Sequence, residues 1–207
     1  MKRFLHIGMW IFLMVLLTGC SKFDPQEDAV TVDKDGKVIR VFADEFLDES
    51  GQAYDVEEIR AMMEQELSVY NRKFGVDHVI LEECQWENGL LRIQIACDEP
   101  KYYVDYCGYY NDDFSTEETD VEFFVGTLGE AGEYDFGVSF VNTSGEAVEA
   151  SQVMENAKNR VIILNEPILV ETQGNILYVS SNVELLGKKQ ARVMAGDGLE
   201  RAYIVYK

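Results

Sequence analysis

The sequence predicts an α+β fold with a mainly antiparallel sheet, one long N-terminal helix and a β-rich C-terminal third. Apolar residues recur at three- and four-residue spacing over residues 56–74, which is typical of an amphipathic helix. Short β-type segments separated by glycine turns dominate the chain after residue 160. Because helices and strands are segregated rather than alternating, antiparallel pairing is favoured over βαβ units. We expect a single domain over residues 30–207.

The first element of this domain is a β-hairpin over TVDKDGKVIRVFADEF. Asp35-Gly36 between two β-type segments predicts a type I′ turn. The spacing Thr31-x-Asp33-x-Asp35-Gly36 also resembles a calcium-binding loop. An EF-hand loop, however, needs an acidic first residue and a glutamate at position twelve, where this chain has Thr31 and Phe42. We therefore favour the hairpin turn and expect no metal there.

The long helix has explicit start and stop signals. Asp55 is a good N-cap residue, and Glu58 three positions later completes a capping-box pattern. Gly75 provides the stop. The apolar stripe that we expect to face the core consists of Val56, Ile59, Met63, Leu67, Tyr70 and Phe74.

A second hairpin is predicted over residues 79–97, around Asn88-Gly89. With Glu87 and Leu90 next to the turn, Cys84 lies opposite Ile93 and Cys97 lies opposite Ile80. Alternation then places one set on the core face: Ile80, Cys84, Trp86, Leu91, Ile93, Ile95 and Cys97. The solvent face carries Glu83, Gln85, Arg92 and Gln94. Cys84 and Cys97 are about 13 Å apart in this register, beyond the reach of a disulfide. We interpret both as buried thiols and leave open a bridge from either to Cys107.

Five tyrosines follow Pro100, which lies near a helix start. They are Tyr102, Tyr103, Tyr106, Tyr109 and Tyr110. Such a set could form a stacking surface for a sugar ring or a peptide, since tyrosine combines an apolar ring with a polar tip. The same spacing is also typical of the core-facing stripe of a helix. Both interpretations stay open at this point.

An acidic loop follows over residues 111–122, with Asp112, Asp113, Glu117, Glu118, Asp120 and Glu122. We expect a solvated loop, with weak Ca²⁺ binding as the alternative. Further along, Thr127-x-x-Glu130 predicts a short capped helix, and residues 151–157 carry a weak helical pattern. The remaining elements are expected to be strands: VEFFV, FGVSFV, VIIL, ILVE, ILYVS, VELL, QARVM and AYIVY.

The first twenty residues have the layout of a secretory signal. Lys2 and Arg3 precede an apolar stretch, Phe4 to Leu17, that is too short to cross a bilayer. Leu17-Thr18-Gly19-Cys20 matches the lipobox of bacterial lipoproteins. This resemblance implies that residues 1–19 are a cleaved signal peptide and that Cys20 carries diacylglycerol as the mature N-terminus. Residues 20–29 would then be the lipidated cysteine and a short polar tether.

Three stretches carry a further resemblance: FFVGTLGEAGEYDF, VIILNEPILVETQGNILYVSSNVELLGKKQARV and AYIVYK. They are similar to an uncharacterised family of small exported lipoproteins of Clostridia-type Gram-positive bacteria. The similarity extends back through the predicted helix and the DKDGKV turn. It implies a location, the extracytoplasmic face of the cell membrane, and it assigns no activity and no catalytic residue.

Composition restricts the function further. Removing residues 1–19 takes away two basic residues and no acid, so the net charge of −20 becomes about −22. This acidity argues against nucleic acid as a partner. The remaining histidine is His78, and the chain has no GxSxG, HExxH, CxxC or nucleotide-binding motif. We expect no cofactor and no metal, and we name no catalytic residue.

These observations favour a non-catalytic lipoprotein, held to the cell membrane by lipid on Cys20. Its expected role is to bind a small ligand, a wall component or another envelope protein. One alternative is an acidic surface hydrolase that uses two carboxylates, since the many acidic residues always include some pair. A structural or assembly role in the cell envelope is a third possibility.

Overall fold

The computed structural model describes residues 23–47, 51–114, 121–196 and 200–207. Three helices are described: α1 (Val56–Asn71), α2 (Pro100–Phe114) and α3 (Ala150–Met154). Thirteen strands are described: β1 (Ala29–Val32), β2 (Val38–Asp44), β3 (Val79–Glu87), β4 (Leu90–Cys97), β5 (Phe123–Thr127), β6 (Phe140–Asn142), β7 (Ala147–Val148), β8 (Arg160–Leu164), β9 (Leu169–Glu171), β10 (Ile176–Ser180), β11 (Val183–Leu185), β12 (Gln190–Val193) and β13 (Ala202–Tyr206). The α+β class and the β-rich C-terminal third are confirmed.

The strands form two sheets rather than one. The first has seven strands in the order β11-β12-β9-β1-β2-β4-β3, and the second has six in the order β5-β8-β13-β10-β6-β7. Neighbouring strands are antiparallel, as expected, except that β1 and β9 are parallel. This parallel pair joins the N-terminal hairpins to the C-terminal strands in one sheet.

Helices α1 and α2 pack with the facing surfaces of the two sheets around the main core. The other surface of the second sheet has its own apolar cluster, covered by residues 128–138 and by α3. Residues of β8 alternate between these clusters: Ile162 and Leu164 face the main core, whereas Val161 and Ile163 face the second. This is why VIIL is apolar at every position.

The expectation of one long N-terminal helix is wrong. Helix α1 has 16 residues, and Asp55 caps its start by accepting from the amide of Glu57 at 2.8 Å. The helix ends at Asn71. The buried side-chain amide of this residue makes hydrogen bonds with the backbone of His78 and Val79, at the start of β3. Residues 72–75 therefore form tighter turns, and Gly75 has a φ of +74°.

The hairpin over residues 79–97 is confirmed with one correction. Asn88 and Gly89 both have positive φ, as a type I′ turn requires, and Cys84 pairs with Ile93 as predicted. Glu82, held by Lys37 and Gln94, is an extra residue that forms a bulge. The bulge changes the register beyond it. Cys97 therefore pairs with Val79, and Ile80 turns away from the core and is 40% exposed.

Two other local predictions were also wrong. Lys34 to Gly36 form a three-residue loop rather than a type I′ turn, because the Asp33 carboxylate accepts from the amides of Asp35 and Lys37. Residues after Thr127 form turns rather than a helix. The backbone amides of Leu128 and Gly129 donate instead to the carbonyl oxygens of Asn159 and Ala157. Thr127 and Glu130 do make the two reciprocal hydrogen bonds of a capping box.

Candidate binding site

The segment that precedes the first strand is attached to the folded body by ion pairs. We call residues 24–28 the N-terminal strap. Asp24 pairs with Arg92 on β4, and Glu27 pairs with Arg192 on β12 at 2.6 Å. Asp28 pairs with Arg40 on β2 at 3.0 Å and also accepts from the amide of Ala43. The strap therefore crosses the end of the seven-stranded sheet, and contacts with the body are already present at Asp24, before the expected domain start at Val30.

Arg92 is the strap's most deeply buried partner. The hairpin pattern places it on the solvent face, but its side chain is 1% exposed. Its Nη1 donates to Asp24 and Glu87, whereas its Nε and Nη2 have no partner among the described residues. A buried cation needs a compensating carboxylate, so the strap's cover over Arg92 is part of the fold.

Arg40 occupies a comparable position on the opposite, core-facing side of the same sheet. Its guanidinium contacts Glu166 at 2.8 Å and Asp28 at 3.0 Å, and its side chain is 5% exposed. The Tyr103 hydroxyl donates to the second Glu166 oxygen at 2.8 Å. These contacts fix the loop between β8 and β9 against α2 and the strap.

Three cavities lie in a row along the strap's end of the body. The first, about 430 Å³, lies beside Glu27 and Asp28, and it shares Pro167 and Met194 with a second of about 280 Å³. The second shares Asn165, Asn182 and Glu200 with a third of about 740 Å³. We call this continuous depression the trough. The loop between β8 and β9 contributes lining residues to all three cavities, and the chain that follows β12 lines the first two.

The third cavity is lined mainly by hydroxyl, amide and charged side chains. Ser180 ends β10, where its Oγ accepts from the amide of Tyr203 at 2.9 Å and donates to Asn182 at 2.6 Å. Asn165 accepts from the amide of Glu122 at 2.9 Å. These bonds fix polar groups in place around the space, an arrangement that suits a polar ligand.

Arg201 forms the charged edge of this cavity. Its Nη2 donates to Glu122 at 2.6 Å, and its guanidinium lies 5.7 Å from the centre of the Tyr134 ring. The hydrogen bonds from Arg201 lower the pKa of Glu122 below its usual range. Glu122 is therefore an ionised carboxylate at neutral pH, whereas the general acid of a glycosidase needs a raised pKa.

The five predicted site tyrosines are not all available to a ligand. Tyr103 and Tyr106 are 1% and 2% exposed and pack in the main core, with hydroxyls that reach Glu166 and Glu66. Tyr102 is partly exposed, but its ring stacks on His78 at 3.8 Å. The side chains of Tyr109 and Tyr110 lie outside the part that the structure describes. The core-stripe interpretation therefore holds for Tyr103 and Tyr106.

His78 and the three described cysteines do not line the trough. The His78 ring contacts Asp98 at 3.1 Å and packs against Phe74 and Tyr102. Cys84, Cys97 and Cys107 are free thiols, so neither bridge left open for Cys107 is formed. Burial raises the pKa of all three, to about 12 for Cys107, so they are protonated at neutral pH. None has the lowered pKa of a nucleophilic cysteine.

The described residues contain no group of three or more His, Cys, Asp or Glu side chains that could hold a metal ion. In the loop that resembles a calcium-binding loop, Asp33 Oδ1 accepts hydrogen bonds from two backbone amides, those of Asp35 and Lys37. Within the same residues, no helix is both long and apolar enough to span a bilayer. Cys20 and most acidic residues of the loop 111–122 lie outside the described side chains.

Sequence reasoning missed the strap and the trough. The sequence pattern predicts a polar tether for Asp24, Glu27 and Asp28 and a solvent-facing side chain for Arg92, whereas the structure shows them paired. The available signal was three carboxylates before the first strand, together with arginines inside otherwise apolar strands. Comparisons with protein-family models, with curated proteins and with solved structures find no match to this chain.

Proposed function

We propose that the chain is a lipid-anchored binding protein of the extracytoplasmic membrane face, which captures a polar ligand in the trough. Lipid on Cys20 would be the anchor, with residues 1–19 removed as the signal peptide. The observation that carries the binding role is the 740 Å³ cavity with its fixed polar groups. The lipobox carries the anchoring role, and the resemblance to exported lipoproteins of Clostridia-type bacteria agrees with it.

The chemistry of the lining favours a polyhydroxyl or amide-rich ligand, such as a wall glycan or its peptide stem. Ser139, Ser181 and Asn182 offer hydroxyl and amide groups to such a ligand. The lining also carries acidic residues, among them Asp135 and Glu200, which disfavour an anionic ligand. Soluble muropeptides whose stem carboxyl groups are amidated, and which therefore carry little negative charge, are the probe of choice.

A binding test can use two matched serines. Ser181→Trp places a large side chain in the cavity, whereas Ser144→Trp adds the same side chain at an exposed turn between β6 and β7. We expect calorimetry to detect muropeptide binding by the native protein and by Ser144→Trp, and not by Ser181→Trp. Equal binding by both variants, or no binding by the native protein, would reject a muropeptide site in the trough.

The anchor has its own test. We expect the N-terminal peptide of the membrane-bound protein to begin at Cys20 and to carry acyl chains by mass spectrometry. Cys20→Ala should abolish this modification and release the protein from the membrane. A Cys20→Ala protein that stays membrane-bound with an unchanged mass would overturn the anchor.

The hydrolase alternative makes a different prediction about the same cavity. It requires release of new reducing ends from the muropeptides, with loss of this activity when a lining carboxylate such as Asp135 is replaced by asparagine. We expect binding without turnover. Arg201 lowers the pKa of Glu122, so Glu122 does not suit the general-acid role, and a hydrolase would have to supply that acid from another carboxyl of the lining. The structural role predicts neither binding nor turnover.

A further inference from the structure

The end of the body that carries the strap also displays large exposed apolar side chains. Phe46 and Leu47 lie two and three residues beyond the end of β2 and are 42% and 45% exposed. Tyr54 is 48% exposed, and its amide donates to Phe46 O at 3.5 Å. Met194 follows β12 and is 49% exposed. We call these four residues the apical patch.

Strand register places the patch beside the strap. Strand β2 runs antiparallel to β1, with Val41 opposite Ala29, so the chain after Asp44 emerges where the strap enters β1. Arg192 of β12 pairs with Leu169, and Leu169 pairs with Ala29, so Met194 emerges at the same end. The cavity nearest the strap joins both sides, since Ala43, Asp44 and Met194 all line it.

The strap limits how far this end can be from an anchor on Cys20. If residues 20–29 were a free tether, as the sequence alone indicates, the body could move about 30 Å from the membrane. Because Asp24 is already paired with Arg92, an anchor on Cys20 lies at most about 14 Å along the chain from the body. The strap's three carboxylates are paired with arginines, which reduces the repulsion between this end and anionic headgroups.

We propose that the apical patch rests in the headgroup region of the membrane, with Phe46, Leu47, Tyr54 and Met194 in contact with lipid. This inference rests on the proposed lipid anchor and adds an orientation to it. A small exposed apolar patch binds a bilayer only weakly by itself, and an adjacent acyl anchor supplies the second signal. In this orientation the strap end of the trough opens close to the membrane surface.

The test uses single cysteines in the full lipidated protein on phosphatidylcholine vesicles. Leu47→Cys and Met194→Cys report on the patch. Val76→Cys is the control. Val76 is 57% exposed and lies just before the first residue of β3, at the end of that strand opposite its hairpin turn. Each cysteine carries a nitrobenzoxadiazole dye, and the quencher is a phospholipid with a nitroxide near its headgroup. Cys84 and Cys97 are buried, the half-buried Cys107 is replaced by serine in every labelled protein, and lipid blocks Cys20.

We expect lipid quenching at Leu47→Cys and Met194→Cys to exceed that at Val76→Cys several-fold. Equal quenching at the three sites, or stronger quenching at Val76→Cys, would overturn the orientation even though acyl chains on Cys20 are present by mass. Dyes at the patch shielded from aqueous iodide but not quenched by lipid would mean that a protein or a second copy covers it, which also overturns the inference. A mature N-terminus without acyl chains would overturn the anchor and the orientation together.

Discussion

Arg192 donates through Nε and Nη2 to both carboxylate oxygens of Glu27, a residue that lies 165 positions earlier in the chain. The distances are 3.2 and 2.6 Å, the geometry of a two-point pair. This contact connects the strap to β12, while Asp24 and Asp28 connect it to β4 and β2. The strap is thus held at three separate strands of one sheet. It therefore belongs to the folded body and not to a free tether.

Asp24→Asn should destabilise the protein. The variant removes one of the two carboxylates that compensate Arg92, whose side chain is 1% exposed. A hydrogen bond to a charged buried group contributes about 1.5–3 kcal/mol, so we expect a loss of that order in the free energy of unfolding. Urea denaturation of residues 21–207 measures it.

Glu27→Gln is the matched control for this prediction. Glu27 and Arg192 are both more than a third exposed, so solvent screens their attraction and the loss should be smaller than for Asp24→Asn. If Asp24→Asn and Glu27→Gln lower the free energy of unfolding equally, then the burial of Arg92 does not make its pair with Asp24 stronger than an exposed pair.

The three thiols should be inert in the folded protein. Burial raises the pKa of Cys107 to about 12 and also raises the pKa of Cys84 and Cys97, so few thiolates exist at pH 8. We expect no rapid reaction of Ellman's reagent with native Cys20→Ser protein and reaction of all three thiols in guanidinium. Fast labelling of any native thiol would contradict the burial.

The hairpin over residues 79–97 shows both where a local sequence signal predicts structure and where it does not. The Asn88-Gly89 turn set the start of its hairpin correctly, and Cys84 pairs with Ile93 as expected. The same reasoning failed at Cys97, because the bulge at Glu82 depends on contacts with Lys37 and Gln94 that no local pattern contains. A bulge shifts the pairing of every residue on the side away from the turn. The predicted register, which lacked the bulge, therefore placed Ile80 on the core face, whereas Ile80 lies at the surface.

The candidate site was less predictable than the fold. The trough is formed by segments far apart in the chain, such as Asp28, Pro167 and Met194, which meet only once β1 and β9 pair in parallel. Tyrosine spacing predicted a helix face correctly, yet it could not decide which side meets the core. That choice depends on the packing of α2 against the sheets, where Tyr103 and Tyr106 fill the main core.

Gly174→Ala should destabilise the C-terminal strand. A Cβ at Gly174 would overlap the backbone oxygen of Lys207, next to the pair of hydrogen bonds between Asn175 and Lys207. The strand end must move to relieve this contact, and overpacking of this kind costs about 1–3 kcal/mol. The melting temperature and the free energy of unfolding should both fall.

Gly187→Ala provides the comparison for that variant. No heavy atom lies within 4 Å of a Cβ at Gly187, which is in an exposed turn. Its melting temperature should stay close to that of the native protein. A Gly174→Ala protein as stable as Gly187→Ala would show that the backbone of Lys207 does not pack against Gly174.

Glu122 should make the protein more stable at neutral pH than in acid. Arg201 lowers the pKa of the folded-state carboxyl below its ordinary value of 4.5, so folding favours the ionised form. The stabilisation is fully present above pH 4.5 and is lost as the pH falls through the lower folded-state pKa. Glu122→Gln should therefore be less stable than the native protein at pH 7, and the difference should shrink below pH 4.5.

Urea denaturation at a series of pH values from neutral to acid measures this difference directly. Glu155→Gln, at the exposed end of α3, removes the same charge without touching Arg201 and serves as the control. For Glu122→Gln the stability gap should close in acid, whereas the control should show no comparable gap at neutral pH. A gap for Glu122→Gln that widens as the pH falls would have the wrong sign for a carboxylate stabilised by Arg201, and it would mean that the pair does not hold the edge of the cavity.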